Sequence, residues 1–341
     1  MSKTLKPTRR KFIKAAVATA GVAAIAGSPF KSAFAAKFPE RNINVIVPTR
    51  EGGGADRNLR TFTSVWKNYL NVNFEPGYFP GASGRVAYEV YMGKREPDCY
   101  NLIFGNMGPE LLNWVVKKPT FDLNAYLYFG QVDTDPGCVF VGAKSKFKTI
   151  DDIVAAGKKR KLNVGTSRMA HPASIGILAL GEKTGAQFNL IPLSGGKNTV
   201  AGAVTGEMDF SVLTSGSVAA AGKAVRTVLI FDDKNKLGAR LNNAPTMNDH
   251  FGTKLPPLLS ARAFGIHRAA IDKYPDRFKV LQDTFFKVFK DPAFKMAYLK
   301  AKGDWEYVNP GGVKECEKYS KDIAEIGERY KSLLSGAPKK K

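Results

Sequence analysis

The 341-residue sequence predicts an α/β protein of two doubly wound units with mostly parallel sheets. Three observations carry that expectation. Strand-like apolar runs alternate with helical ones, and the alternation restarts near Leu162. About 305 residues remain once an N-terminal leader is set aside, more than one core usually spans.

The elements follow in order. Ile43–Val47 is a buried strand ended by Pro48, and Gly52-Gly53-Gly54 is a turn. A helix runs from about Asp56 to Leu70, with Leu59, Phe62, Val65, Trp66 and Tyr69 at helical spacing. Asn73–Glu75 is a short strand, Gly81-Ala82-Ser83-Gly84 opens a helix through Val90, and Leu102–Phe104 is a strand running into Asn106. Phe129–Val132 and Cys138–Val141 read as separate strands before a helix of Asp151–Ala156. The second unit has strand Leu162–Gly165, turn Thr166-Ser167-Arg168 and helix Ala173–Thr184. Strand Phe188–Ile191, turn Ser194-Gly195-Gly196 and helix Thr199–Thr205 follow, then strands Met208–Val212 and Arg226–Ile230. Lys273–Lys300 is helical with a break at Asp291-Pro292, and the last helix covers Lys314–Leu333.

The N-terminus reads as a secretory signal. Arg9-Arg10 precede an apolar run from Ala15 to Ala26, and Ala33-Phe34-Ala35 is a small-x-small site cut before Ala36. The paired arginines point to twin-arginine export, although general-route signals also carry such pairs. No later stretch reaches the ~18 consecutive apolar residues of a spanning helix. The net charge is +22, and seven basic residues of the leader leave about +15. Apart from Lys158–Lys161 and the Lys339–Lys341 tail the basic residues are scattered, with no aromatic-interleaved stripe, so nucleic acid is not the expected partner. Cys99, Cys138 and Cys316 are too few for a disulfide scaffold; one pair or none would be closed.

Enzyme signatures fail one by one. Arg57 stands where a dinucleotide fingerprint needs its third glycine, and Ser194–Asn198 lacks the first glycine and the Ser/Thr of a phosphate loop. There is no G-x-S-x-G elbow, and His171, His250 and His267 lack metal-ligand spacing. No catalytic residue, metal or cofactor is expected. The glycine turns fall instead at strand carboxyl ends, where α/β sheets bind ligands and helix N-termini favour anions.

Those turns carry a resemblance. Phe38–Pro48 followed by Gly52–Asp56 is similar to the first strand and loop of the Bug-type receptors of tripartite tricarboxylate transporters. Pro80–Gly84 resembles their Pro-Gly-Ala-x-Gly turn, Pro97–Tyr100 their Pro-Asp-Gly-Tyr, and Gly165–His171 their Gly-Ser-x-Gly-x-x-x-His. Pro192–Gly195, Gly206–Asp209 and Ala244–Met247 resemble three further segments, in order along the chain. The resemblance implies a type II periplasmic-binding-protein fold with a ligand cleft between two α/β domains. These would be residues 36–138 with 264–341, and residues 139–263. It also implies periplasmic localisation, capture of a small di-, tri- or aromatic carboxylate without chemistry, two membrane subunits as partners, and a monomeric receptor. A receptor for an amino acid or vitamin, or a ligand-sensing partner of a sensor kinase, is the alternative.

Carried onto this chain, the ligand residues are Thr49, Arg50, Gly52, Gly53, Thr166, Ser167, Arg168, Ser194 and Gly195, with Asn106 added. Arg50 and Arg168 depart from the family's small residues and would offer planar forks to a carboxylate. Arg50 could instead pair with Glu51 or face solvent, and Ser167 could cap the following helix. Cys99 replaces a glycine, which puts the shape of that turn in question.

Secreted protein should begin at or near Ala36, and replacing Arg9 and Arg10 by lysine should block its export. N-terminal sequencing of extracytoplasmic protein checks both, and material that still begins at Met1 would rule out the signal.

Overall fold

The computed structural model describes residues 38–335; the secretory signal expected at residues 1–35 and the basic tail lie outside the described residues. In the first half β1 (Ile43–Val47) pairs in parallel with β2 (Phe74–Tyr78) and β3 (Asn101–Asn106). α1 (Gly54–Leu70) begins two residues earlier than its apolar spacing suggests and buries Leu59, Phe62, Val65 and Trp66. α2 (Arg85–Lys94) starts later than expected, because a 3-10 turn occupies Ala82–Gly84. Cys99 takes φ +67, so the turn keeps the left-handed conformation its usual glycine would adopt. α3 (Met107–Val116) has no counterpart in the sequence-based reading.

β4 (Tyr126–Gly142) is one strand of 17 residues, buried throughout, where the sequence suggests two. Its middle, Asp133-Thr134-Asp135-Pro136-Gly137, has the composition of a turn. The structure keeps it extended because its acids have partners across the sheet. In the second half α4 (Ile150–Lys159) begins at a capping box on Thr149 and leads to β5 (Leu162–Thr166). α5 (Pro172–Thr184), β6 (Phe188–Pro192), α6 (Gly196–Thr205) and β7 (Phe210–Thr214) follow, with β7 two residues later than expected. Then come α7 (Ser215–Ala221), β8 (Val225–Ile230) and α8 (Met247–Phe251). β9 (Leu259–His267) returns the chain to the first half, where α9 (Arg268–Lys273), α10 (Pro275–Lys290) and α11 (Pro292–Lys300) pack. β10 (Val308–Gly311) and α12 (Val313–Leu334) end it.

The strand order is β2-β1-β3-β9-β4-β7-β5-β6, with β8 and β10 also on β4. Parallel strands occupy the two flanks, and β9 and β4 run antiparallel through the middle. The first-half core is aromatic: Phe62 lies 5.0–5.5 Å from the rings of Trp66, Phe264, Phe285, Phe289 and Phe294. Each such side chain stabilises the fold by ~1.5–3 kcal/mol through burial. The second core is aliphatic and includes Ile323, Tyr330 and Leu334 of α12 beside Leu112 of α3. At Gly327 a methyl group would stand 2.7 Å from Leu112 Cδ2, so α12 approaches α3 closely only because that residue has no side chain. The Tyr330 hydroxyl donates to Glu182 of α5 at 2.9 Å, and α12 thereby touches both halves.

Where β4 and β9 cross, Arg262 Nε donates to Asp133 Oδ1 at 2.8 Å and its Nη2 to Asp135 Oδ2 at 3.0 Å. Asn58 Nδ2 and the Tyr298 hydroxyl donate to Asp133 Oδ2 at 2.6 and 2.9 Å. Asp133 is fully buried, and removing it would leave Arg262 Nε, Asn58 Nδ2 and the Tyr298 hydroxyl without their acceptor, with Asp135 alone holding the guanidinium. Asp133→Ala should therefore lower the unfolding free energy by about 3–5 kcal/mol, and Asp133→Asn by less. Chemical denaturation measures it; a loss under ~1 kcal/mol would show that Arg262 is satisfied without Asp133.

Candidate functional site

The loop after β5 meets the segments after β2 and β3 through Arg168, and it is bonded to the loop after β6. After β1, Asp56 in the first turn of α1 pulls the loop inward. Its Oδ2 accepts the Gly52 N–H at 2.7 Å, and its Oδ1 accepts from Arg60 Nε and the Tyr78 hydroxyl. The Gly52 N–H is thus committed, whereas Gly53 caps α1 with no side-chain partner. Thr49 Oγ1 is buried and has no hydrogen-bond partner among the described residues. Arg50 is exposed, and Glu51 pairs with Arg60 at 2.6 Å rather than with Arg50.

After β5, the Thr166 hydroxyl is turned inward, donating to Arg168 O at 3.0 Å and meeting Ser174 Oγ at 3.0 Å. It shapes the turn rather than lining its surface. The cap of α5 is His171, whose Nδ1 accepts the Ala173 N–H at 3.1 Å, so Ser167 is not a helix cap. Burial, with Arg168 adding to it, lowers the His171 pKa to about 3 and keeps the ring neutral. The turn after β6 is tied to this one by Gly195 N–H to Ser167 O at 3.1 Å and Leu193 N–H to Thr166 O at 2.8 Å. Ser194 and Gly195 are exposed, at φ +56 and +114. Asn106 ends β3 opposite Arg262 and caps α3 without a side-chain bond.

Arg168 crosses from one half to the other. Its Nη1 donates to Ser83 O at 3.0 Å and stands 3.7 Å from Glu110 Oε1. Glu110, in the first turn of α3, is fully buried, and neither of its oxygens has a well-aligned hydrogen-bond partner. Tyr88, Tyr126, Tyr128 and Tyr319 surround it, and the hydroxyls of Tyr88 and Tyr128 bond to each other. Burial pushes the Glu110 carboxyl up to about 8, with Arg168 opposing. Sequence reasoning misses this residue because Met107-Gly108-Pro109 looks like a turn. The legible signal is Pro109 and Glu110 followed by Leu111, Leu112 and Val115, a helix start with an acid in its first turn.

A second feature lies toward the crossing strands. A small crevice, open at its mouth, is lined by Asn58, Asp135, Gly216, Arg262, Tyr298 and Asp304, with Arg57 and Lys302 exposed beside them. None of the ten sequence-predicted residues lines it; it begins at Gly54, one residue past Gly53. Its acids come from β4 and from a loop before β10 that no motif marks.

A family model described as "Tripartite tricarboxylate transporter family receptor" matches residues 78–335. The chain belongs to this family. The receptor is 26% identical over 338 residues to a Cupriavidus necator protein named "UPF0065 protein in gbd 5'region", covering 96% of this chain and 97% of that one. Among solved structures it is similar to the periplasmic binding protein BugD, with 17% identity, 89% and 100% of the two chains covered and a TM-score of 0.72. It is similar too to an R. palustris protein solved with adipate, with 17% identity, 88% and 98% covered and a TM-score of 0.74. The fold is thereby that of the periplasmic binding proteins. No helix among the described residues of the receptor is long and apolar enough to cross a membrane. Its three cysteines are free thiols, all buried.

Glu110 makes stability depend on pH. Its folded pKa of about 8 lies above the ordinary 4.5, so its contribution is full below ~pH 4.5 and is lost as pH rises through about 8. Glu110→Gln, which does not titrate, should gain on the wild type between those values by up to ~1.4 kcal/mol per pH unit. Melting temperatures at pH 5, 7 and 9 measure this, and a gap that stays constant across the three would remove Glu110 as the titrating group.

Proposed function

We propose that the receptor captures a small organic carboxylate reversibly, without chemistry, and presents it to the membrane subunits of a tripartite tricarboxylate transporter in the periplasm. The observation that carries this reading is Arg168, which reaches across from the loop after β5 to the loop and helix of the opposite half. In this proposal the cleft lies between a lobe of residues 36–138 with 264–341 and a lobe of residues 139–263. The adipate carried by one structural neighbour supports a dicarboxylate as the class of ligand.

The chemistry follows from what each group has left to give. Arg168 is four-fifths shielded and spends one nitrogen on Ser83 O. Glu110 beneath it holds a proton at neutral pH and leaves the guanidinium charge largely uncompensated. An incoming carboxylate supplies the missing negative charge and accepts the planar fork. In this proposal the hydroxyls of Thr49, Ser167 and Ser194 and the Gly53 N–H would complete the grip, Gly195, whose N–H is held by Ser167 O, would shape the turn, and the exposed Arg50 would draw anions in. The Gly52 N–H and Thr166 act by shaping the loops.

Thermal-shift titration with adipate, citrate, benzoate and neutral solutes should give saturable stabilisation by a carboxylate, about 2.7 kcal/mol at a hundredfold excess over Kd. Arg168→Ala should weaken that binding thirtyfold or more, the equivalent of ~2–5 kcal/mol, and Arg168→Lys should restore part of it. Stabilisation by neutral solutes alone would refute the anion reading. Binding by Arg168→Ala within threefold of wild type would leave Arg168 as a strut between the halves.

A further inference from the structure

The pocket around Glu110 makes room for a carboxyl group and gives it almost no donors. Glu110 is 0% exposed, and neither Oε1 nor Oε2 has a well-aligned hydrogen-bond partner among the described residues. Two glycines make the room. A methyl group on Gly84 would stand 3.3 Å from Oε1, and one on Gly105 would stand 3.1 Å from Oε2. The titratable neighbours are Tyr88 of α2, Tyr126 and Tyr128 of β4 and Tyr319 of α12, and burial keeps all four hydroxyls neutral. Tyr88 and Tyr128 spend theirs on each other, and Tyr319 donates to Leu259 O.

Arg168 is the one cation facing this carboxyl among the described residues, and it is not bonded to it. Its Nη1 lies 3.7 Å from Oε1 and donates instead to Ser83 O at 3.0 Å. His171, beside Arg168, is neutral. Arg168 and the Asn106 N–H favour an ionised Glu110, and burial outweighs both. A charge-assisted bond needs ~2.7–2.9 Å, so about 1 Å separates the present arrangement from a closed ion pair. The guanidinium thus stands between two anionic partners, the carboxyl beneath it and a solute above it.

We propose that Glu110 is a positioning residue for Arg168: protonated, it leaves the guanidinium to a bound carboxylate, and ionised, it takes the guanidinium for itself. The receptor therefore draws a proton from solvent as it takes up its anion. This rests on the reading of Arg168 as the anion's partner and adds the regulation of that contact. With Glu110 neutral, one guanidinium faces one solute carboxylate. With Glu110 ionised, the same guanidinium faces two carboxylates, and one of them is a buried anion left short of a cation. A solute that engages Arg168 makes Glu110 harder to ionise, and ionising Glu110 weakens the solute by the same factor.

Adipate and benzoate, both ionised from pH 7 to pH 9, are the probes. Calorimetric titration of the full chain at pH 7, 8 and 9 should show Kd rising roughly five- to tenfold across the range, since Glu110 is pushed up to about 8. Near pH 8, titrations in buffers of different ionisation enthalpy should show uptake of up to about half a proton per solute bound. Glu110→Gln keeps the shape of the side chain and does not titrate. Its Kd should stay within twofold over the series, with no proton uptake. The buffer comparison needs no variant, so it decides the matter if Glu110→Gln does not fold. The proposal is overturned if wild-type affinity is flat from pH 7 to pH 9, if no proton is taken up, or if Glu110→Gln keeps the wild-type profile. Each of those results leaves the receptor reading standing. If neither probe binds at any pH, the anion reading of Arg168 fails and this proposal fails with it.

Discussion

The fork of Arg262 between Asp133 and Asp135 is the interaction on which the remaining architecture depends. A strand of 17 buried residues cannot carry two aspartates through the middle of a sheet without an opposite charge on the neighbouring strand. Arg262 is that charge, and Asn58 of α1 and Tyr298 of α11 complete the shell around Asp133. One side chain thus fixes how β4 and β9 run together and where α1 and α11 sit against them. It also places Gly54 and the start of α1, since an Arg262 nitrogen lies 3.6 Å from where a Gly54 side chain would begin. The loop after β1 takes its position from the crossing point.

Much of the framework is legible because apolar periodicity is local. The run Ile43–Val47 marks its strand to the residue, and the helices at Asp56–Leu70 and Ala173–Thr184 emerge to within two residues of either end. The failures have a shared cause. β4 splits in the sequence because Asp133–Gly137 reads as a turn, and only a partner 129 residues away makes it a strand. α7 escapes because it starts immediately after a strand with no side-chain cap bond, and α3 because Met107-Gly108-Pro109 reads as a turn and masks the start that Pro109 and Glu110 mark.

For the site, loop positions are legible and side-chain roles are not. The turns at Thr166–Arg168 and Ser194-Gly195 are bonded to each other, whereas Gly54 lies beside Arg262. Which way each side chain points depends on contacts that spacing cannot encode. Thr166 turns inward to bond its own loop, Glu51 is captured by Arg60, and Arg168 is drawn to a carbonyl 85 residues earlier. Glu110 and the Asp135–Asp304 pair escape notice because burial, not sequence pattern, gives them their chemistry.

The reach of α12 has a kinematic consequence. Two crossing strands alone would form a simple hinge, free to swing the halves apart in either sense. α12 lies against α3 through Gly327 and against α5 through Tyr330 and Arg329, adding a third tie on one flank. A packed helix resists separation but allows small sliding displacements. Any motion of one half against the other would therefore be limited to small sliding about α12 in place of a free swing.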